Sequence, residues 1–500
     1  MYLNKLGYLM NDLKSHTLKS VKWVIFANLF PKLITPVISV YLATILVPSA
    51  YGIVAISGTF IGFINIIQGF GIIDFIGKEK EINEDKLNTS FWLNVFLAIT
   101  LFIILVLSSD FIAQMYSEPM LDDVLIVSGL VILIDSFGIV QIAKLRRDMQ
   151  FKKLFWRSLI PVIVSIAITL PLAKLDFGVW SLVAGQVSRS FLNTVLFWYL
   201  TKWRPSVSFS KSISKDILKF GSWNNFEKFQ EYFANNSLGI LILGYFATSS
   251  QVGVYSVAIH ILGTIFLILR APIQNMTLPL LSKVQDSNEL LLKTFKKIIS
   301  RMMFINIPLT VGIFLLAEKG VDIIFPDKWA NLGMVISIIV IGQGFLLSFG
   351  AQRELLKIIN RPDIYPKTLT VNLITGAILF FISAKYFDLF WFCIARVIND
   401  VMFLILQIFI IHKYIKFEFS EIIKISFVPL LSSTIMGVSI YVVYFVLPEY
   451  NIFSFLLVII LGIIIYLSTY YLLDKIEFKK LSREILEILG IAKFSPKFLS

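Results

Sequence analysis

Ionisable side chains recur inside long apolar stretches of this 500-residue sequence, and they are the residues whose types could do chemistry. A charge inside a lipid bilayer is costly, so such residues usually face a cavity or a partner. The basic candidates are Lys32, Arg189, Lys228, Arg270, Arg353 and Arg396, and the acidic candidates are Asp74, Asp135, Glu227, Glu231, Glu354 and Asp400. Because guanidinium groups match phosphate oxygens, a cavity lined by these cations would suit a phosphate-bearing ligand.

Specific roles follow from depth and spacing. The predicted ligands of an anionic group are Arg189, Arg270, Lys228, Lys32 and Arg396. Asn224, Lys228, Glu231 and Asn235 form one stripe of a predicted helix, and such a stripe must line water or a polar substrate. Asp135 and Asp400 lie near mid-depth and are candidates for coupling to a sodium ion or a proton.

Several of these residues also fit purely structural roles. Arg396 and Asp400 have the i, i+4 spacing of a helical ion pair. Arg353 beside Glu354 fits a surface pair, and Asp74 near a helix end fits a solvated group. These alternatives remain open at the level of sequence.

No catalytic, metal or cofactor site is predicted. Cys393 is the one cysteine, and His16, His260 and His412 match no metal-ligand spacing. Gly-rich phosphate loops and nucleophile elbows are also missing from the sequence.

Composition identifies the elements that must position these residues. The chain is 57% hydrophobic and 15% charged, with a mean hydropathy of +0.82, whereas soluble domains carry about 25% charged residues. Apolar stretches of membrane-spanning length recur between short polar intervals. They predict an all-α polytopic membrane protein with fourteen helices, at 22–46, 53–77, 89–110, 123–143, 158–175, 178–201, 219–246, 253–277, 296–317, 332–356, 367–384, 389–412, 424–446 and 452–473.

Loop charge sets the predicted direction of these spans, because cytoplasmic loops carry the excess of Lys and Arg. The loop after span four supplies Lys144, Arg146, Arg147, Lys152, Lys153 and Arg157. The outside segments hold only Lys174, Lys319, Lys328 and Lys385. Both termini are therefore predicted to be cytoplasmic. The net charge of +13 is attributed to anionic lipid head groups rather than to nucleic acid.

Two halves of the chain share sequence features. LKSVKW (18–23) recurs as LKFGSW (218–223), and a later match aligns Gly52 with Gly253. Two six-helix lobes related by an axis along the membrane normal are therefore predicted. The predicted domains are a cytoplasmic segment 1–21, an N-lobe 22–201, a cytoplasmic linker 202–218, a C-lobe 219–412, a two-helix appendage 424–473 and a cytoplasmic amphipathic tail 474–500.

Five segments carry a family resemblance: LVPSAYGIVAISGTF (46–60), GFGIIDFI (69–76), FGVWSLVAGQV (177–187), KWRPSVSFS (202–210) and LKFGSWNNFEKF (218–229). Through them the sequence resembles the polysaccharide-transport branch (Wzx- and TuaB-like) of the MOP exporters, which comprise multidrug, oligosaccharidyl-lipid and polysaccharide exporters. The resemblance implies a flippase in the bacterial inner membrane that moves undecaprenyl-pyrophosphate-linked oligosaccharides for surface polysaccharides such as O-antigen. It also implies a glycosyltransferase and a polymerase as partners.

Three other functions are weighed against this expectation. An ion-coupled drug exporter of the same superfamily would typically have twelve spans and an acidic site. A peptidoglycan lipid II flippase would share fourteen spans and a cationic cavity. A membrane polymerase or ligase would need a sizeable outside loop, and the longest one here is about 318–331.

Overall fold

A computed structural model describes residues 38–69, 71–79, 82–148, 150–446 and 451–480. All regular secondary structure in these ranges is helical, which confirms the predicted all-α class. Within them, ten helices are long and apolar enough to cross a membrane, or eleven if one bent pair counts as a single span. The count of fourteen spans and the cytoplasmic placement of both termini stay predictions. The predicted segment 1–21, most of span 22–46 and most of the tail 474–500 lie outside the described residues.

The chain divides into two compact units, Met1–Ser256 and Val257–Ser500. The described part of the first unit starts with a short helical stretch at 38–45. The helices that follow are α1 Pro48–Gly69, α2 Ile72–Lys78, α3 Glu84–Met115, α4 Met120–Ser136, α5 Ile139–Arg147, α6 Phe151–Lys174, α7 Val179–Leu200, α8 Lys211–Tyr232, α9 Leu238–Phe246 and α10 Ser249–Ser282. Helix α10 continues into the second unit. Within this unit α4 packs against α1, α3 and α7, and α6 packs along α7.

The second unit contains the remaining helices. They are α11 Asn288–Ile324, α12 Asn331–Ser348, α13 Gln352–Ile358, α14 Ile364–Tyr386, α15 Leu389–Ile415, α16 Phe419–Val446 and α17 Ile452–Leu473. Helix α12 packs against α11 and α15, and α16 packs against α11 and α17. The predicted appendage is thus anchored on α11, where the Tyr466 hydroxyl donates to the Phe304 carbonyl at 2.8 Å.

A helix is interrupted at a Ser-Phe-Gly sequence in each unit. In the first unit, Ser-Phe-Gly at 136–138 separates α4 from α5, and the axes of these two helices differ by 46°. In the second unit, Ser-Phe-Gly at 348–350 lies between the end of α12 and the start of α13. In the first unit Asn94 Nδ2 donates to the Ser136 carbonyl at 3.0 Å. In the second unit Asn306 Nδ2 donates to the Ser348 hydroxyl at 3.2 Å. Both pairs are separated by 42 residues, which supports the predicted internal repeat.

The glycines aligned by the predicted repeat also touch each other. A Cβ atom placed on Gly52 of α1 would lie 1.8 Å from the Ser249 carbonyl oxygen, and one placed on Gly253 of α10 would lie 1.8 Å from the Pro48 carbonyl oxygen. The two helices therefore meet backbone to backbone at their first turns, where only glycine fits.

Four predicted spans are not among the ten apolar helices. Span 22–46 lies mostly outside the described residues, and span 123–143 is the bent pair α4 and α5. Span 178–201 corresponds to α7, and span 219–246 corresponds to α8 and α9 joined by a π-helical turn, Phe233–Ser237. Helix α8 also begins at Lys211, inside the predicted linker. Both segments carry the ionisable residues that the sequence marks as candidates, and this polarity is why their helices are less apolar than the others.

Candidate functional site

A charged cluster lies where α4, α6 and α7 pack together. Asp135 of α4 interacts electrostatically with Arg157 of α6 and with Arg189 of α7. One oxygen of its carboxylate, Oδ1, accepts a hydrogen bond from the Ser190 hydroxyl at 2.5 Å. Asp135, a predicted coupling residue, and Arg189, a predicted cavity cation, are thus brought together by the fold.

Arg157 corrects a sequence expectation. The sequence places it in a cytoplasmic loop, but it lies in α6, within the stretch Lys153–Lys174 that can span the membrane. Its guanidinium carbon stands 4.2 Å from the centre of the Phe197 ring, a cation–π distance. Its Nε atom is buried and has no hydrogen-bond partner among the described residues. The loop assignment failed here because the helix begins at Phe151, before the apolar stretch at 158–175 that defined the predicted span.

Arg189 lies about halfway along α7 and is exposed. Within the described ranges it makes no hydrogen bond and no ion pair at contact distance. Arg157 also interacts with Arg146 and Arg189, both of which repel it. The guanidinium groups of Arg157 and Arg189 thus share one carboxylate, so positive charge exceeds negative charge in the cluster.

The polar stripe on α8 differs from the regular helix that the sequence suggests. Asn235 lies within the π-helical turn Phe233–Ser237, so the spacing from Asn224 to Asn235 is not that of one continuous α-helix. Lys228 forms a salt bridge with Asp74 of α2 (Nζ–Oδ2 2.8 Å), and both side chains are almost half exposed. Glu231 is half-buried and Asn235 is exposed. The side chain of Asn224 lies outside the described part of the structure.

Arg270 is a buried residue in the second unit. Its Nε donates to the Phe266 carbonyl at 3.2 Å, and its Nη1 donates to the Leu347 carbonyl at 3.1 Å. Leu347 is in the last turn of α12, whose carbonyl groups lack helical partners and favour a nearby cation. These contacts tie Arg270 to the end of α12, and its predicted role as a cavity cation stays a prediction.

Arg396 and Asp400 form an ion pair buried within the second unit. The Nε–Oδ1 distance is 3.1 Å, and the side chains are only 7% and 3% exposed. A Cβ placed on Gly342 of α12 would lie 3.0 Å from Asp400 Oδ2, so the pair is packed against that helix. This geometry favours the structural alternative for both residues.

The remaining candidates are dispersed. Lys32 lies outside the described residues. Glu354 pairs with Lys357 (3.4 Å) rather than with Arg353, whose guanidinium carbon stands 5.7 Å from the Tyr365 ring centre. Asp74, expected as a solvated end group, instead pairs with Lys228.

Comparison with known proteins decides the family. The sequence model of a family described as "Polysaccharide biosynthesis protein" matches residues 41–334, more than half of the chain. The chain belongs to this polysaccharide biosynthesis protein family. The resemblance seen in the sequence is thereby confirmed.

Curated relatives agree with this assignment. The lipopolysaccharide biosynthesis protein WzxC of Escherichia coli (strain K12) is 26% identical over 341 residues, covering 68% of this chain and 69% of WzxC. The teichuronic acid biosynthesis protein TuaB of Bacillus subtilis (strain 168) is 21% identical, covering 56% of this chain and 58% of TuaB. An uncharacterised membrane protein of the cps region of Klebsiella pneumoniae is 22% identical over 95% of this chain and 99% of its own length.

Solved structures share the fold. The lipid II flippase MurJ in an inward closed conformation superposes with a TM-score of 0.71 at 15% identity, covering 90% of this chain and 98% of MurJ. A multidrug resistance MATE family transporter of the MOP superfamily, in an inward-facing conformation, gives a TM-score of 0.62 at 16% identity over 79% of this chain and 98% of that transporter. At these identities the likeness shows the fold alone, so this member of the polysaccharide biosynthesis protein family has a fold common to flippases and drug exporters.

Two features of this family member escaped the sequence analysis. The sequence assigned Arg157 to a basic loop because the predicted span began at residue 158, whereas α6 begins seven residues earlier, at Phe151. The paired breaks were detectable, because Ser-Phe-Gly occurs at 136–138 and 348–350 and an Asn precedes each by 42 residues.

Proposed function

We propose that this protein is a flippase that moves a polyprenyl-(pyro)phosphate-linked oligosaccharide from the cytoplasmic to the outer leaflet of a bacterial inner membrane, for the synthesis of a surface polysaccharide. Membership of the polysaccharide biosynthesis protein family and the relatives WzxC and TuaB support this substrate class. The flippase and exporter folds of the structural neighbours support transport rather than covalent chemistry.

The observation that carries the proposal is the exposed guanidinium group of Arg189 beside Asp135 and Arg157. Arg189 is close to the middle of α7, where an unpaired charge is costly unless a water-filled cavity or an anionic ligand accommodates it. A pyrophosphate group is such a ligand, and bidentate contact with a guanidinium group would stabilise it away from bulk water. The sugars would contact polar and aromatic side chains such as those of α8.

Transport would proceed by alternating access between two pseudo-symmetric lobes. Energy would come from a sodium or proton gradient, the membrane potential or consumption of the product, and Asp135 is the carboxylate we infer to be the coupling residue. Asp400 is less suited, since it is buried in its pair with Arg396. Glycosyltransferases would supply the substrate, and a polymerase would consume it.

A leaflet-exchange assay tests the proposal. Purified protein in liposomes should move a fluorescent polyprenyl-pyrophosphate oligosaccharide between leaflets, and Arg189→Ala should slow the movement by about tenfold or more, as expected for loss of a charge-assisted hydrogen bond. Arg361→Ala, which removes an equal charge from an exposed loop, is the matched control. Absence of movement in the wild type, together with export of an organic cation from the same vesicles, would assign the protein to the drug exporters instead.

A further inference from the structure

Arg157 has the features of a ligand-binding arginine, although the sequence places it in a loop. It is half-buried inside α6, and its guanidinium group is held against the ring of Phe197, which is itself 4% exposed. A planar guanidinium group fixed against an aromatic face keeps the donors at its edge free for another group. The buried Nε atom has no partner among the described residues, and a buried donor without a partner is destabilising unless a ligand or water satisfies it.

The charges around Arg157 do not balance. The charged groups that interact with it are Asp135, Arg146 and Arg189. Asp135 is the one acidic group among them, and its Oδ1 is already engaged by the Ser190 hydroxyl. Positive charge therefore predominates around Arg157.

We propose that Arg157 and Arg189 together form a phosphate-binding site within the first unit, with Asp135 as the internal anion that a phosphate ligand displaces from them. The proposal rests on the proposed function and specifies which residues of the chain bind the phosphate part of the substrate. The ligand class is a pyrophosphate diester, whose two negative charges would be met by the two arginines once Asp135 is displaced from them.

The two arginines lie at different depths. Arg157 is about 9 Å from the first residue of α6, and Arg189 is about 16 Å from the last residue of α7, at 1.5 Å per residue. Those two ends lie on the same, predicted cytoplasmic, side because α6 and α7 form a hairpin. A phosphate group coming from the cytoplasm would therefore meet Arg157 before Arg189, and Arg157 would select phosphate-bearing lipids at the inner part of the route.

Binding of inorganic pyrophosphate to the purified full-length protein, followed by isothermal titration calorimetry, tests the site without transport. Arg157→Ala should weaken binding by about tenfold or more, and Arg157→Lys should weaken it less, because lysine keeps the charge but loses the planar fork. Asp135→Asn should strengthen binding, since it removes the competing carboxylate and keeps an acceptor for Ser190. A gain of affinity cannot arise from misfolding. Arg361→Ala is the control and should leave the affinity unchanged.

The outcomes separate this site from the proposed function. Pyrophosphate affinity in Arg157→Ala within twofold of the wild-type value, or weaker binding in Asp135→Asn, would overturn the site even if the wild type moves lipid-linked oligosaccharide. Arg157-dependent binding in a protein that moves no lipid would keep the site and refute the flippase. Equal loss with Arg361→Ala would show that the effect is one of overall charge and would also overturn the site.

Discussion

At the scale of single residues, four helical arginines divide into two whose charge the fold has already neutralised and two whose charge it has not. Arg396 has its own carboxylate, and Arg270 has two backbone carbonyls. Arg157 and Arg189 share one carboxylate between them. The residue type alone is the same in all four cases, so only the contacts distinguish structural cations from candidates for ligand binding.

Arg270 gives a prediction about stability. Arg270→Ala removes two hydrogen bonds from a charged donor to backbone carbonyls and leaves the end of α12 without its cation. Each such bond contributes about 1.5–3 kcal/mol, so the thermal unfolding temperature in detergent should fall by several degrees. Arg270→Lys should recover part of the loss. A fully stable Arg270→Ala protein that fails to bind pyrophosphate would contradict this assignment and return Arg270 to the substrate-binding residues.

At the scale of helices, the contact between α1 and α10 depends on two glycines. Gly52→Ala would put a Cβ atom 1.8 Å from a backbone carbonyl oxygen, so one helix must move. Overpacking of this kind typically costs about 1–3 kcal/mol, and we expect a lower unfolding temperature and a lower yield of folded protein. Gly58→Ala in the same helix is the matched control, because nothing lies within 4 Å of its Cβ position. Equal unfolding temperatures for the two variants would contradict the close contact.

The paired helix breaks give a second prediction at this scale. Asn94→Ala removes the hydrogen bond to the Ser136 carbonyl, and Asn306→Ala removes the one to the Ser348 hydroxyl. Hydrogen–deuterium exchange should rise around residues 136–141 in the first variant and around 348–353 in the second. Each variant serves as the control for the other. Increased exchange at both breaks in either single variant would show that the two hydrogen bonds do not act locally.

Sequence patterns predicted helices better than they predicted contacts. The apolar stretches at 296–317 and 389–412 lie within α11 and α15, because lipid demands continuous helices there. The π-helical turn that contains Asn235 was not predictable, since the Phe233–Ser237 segment carries no proline or glycine that would mark a change of helix. The pairing of Lys228 with Asp74 joins residues 154 positions apart, and no periodicity within one helix contains that information.

At the scale of the whole molecule, the predicted topology can be tested with the one cysteine that the chain contains. Cys393 is fully buried, so the wild type should react with a membrane-impermeant maleimide only after unfolding. Lys174→Cys, at the end of α6, should react in intact cells because the predicted topology places it outside. Lys202→Cys, just beyond α7, should react only after the membrane is permeabilised, because the predicted topology places it in the cytoplasm. Both lysines are exposed, so access should depend on the side of the membrane and not on packing. Reaction of Lys202→Cys but not of Lys174→Cys in intact cells would reverse the orientation, and the basic segment 144–153 would then face the outside against the usual distribution of positive charge.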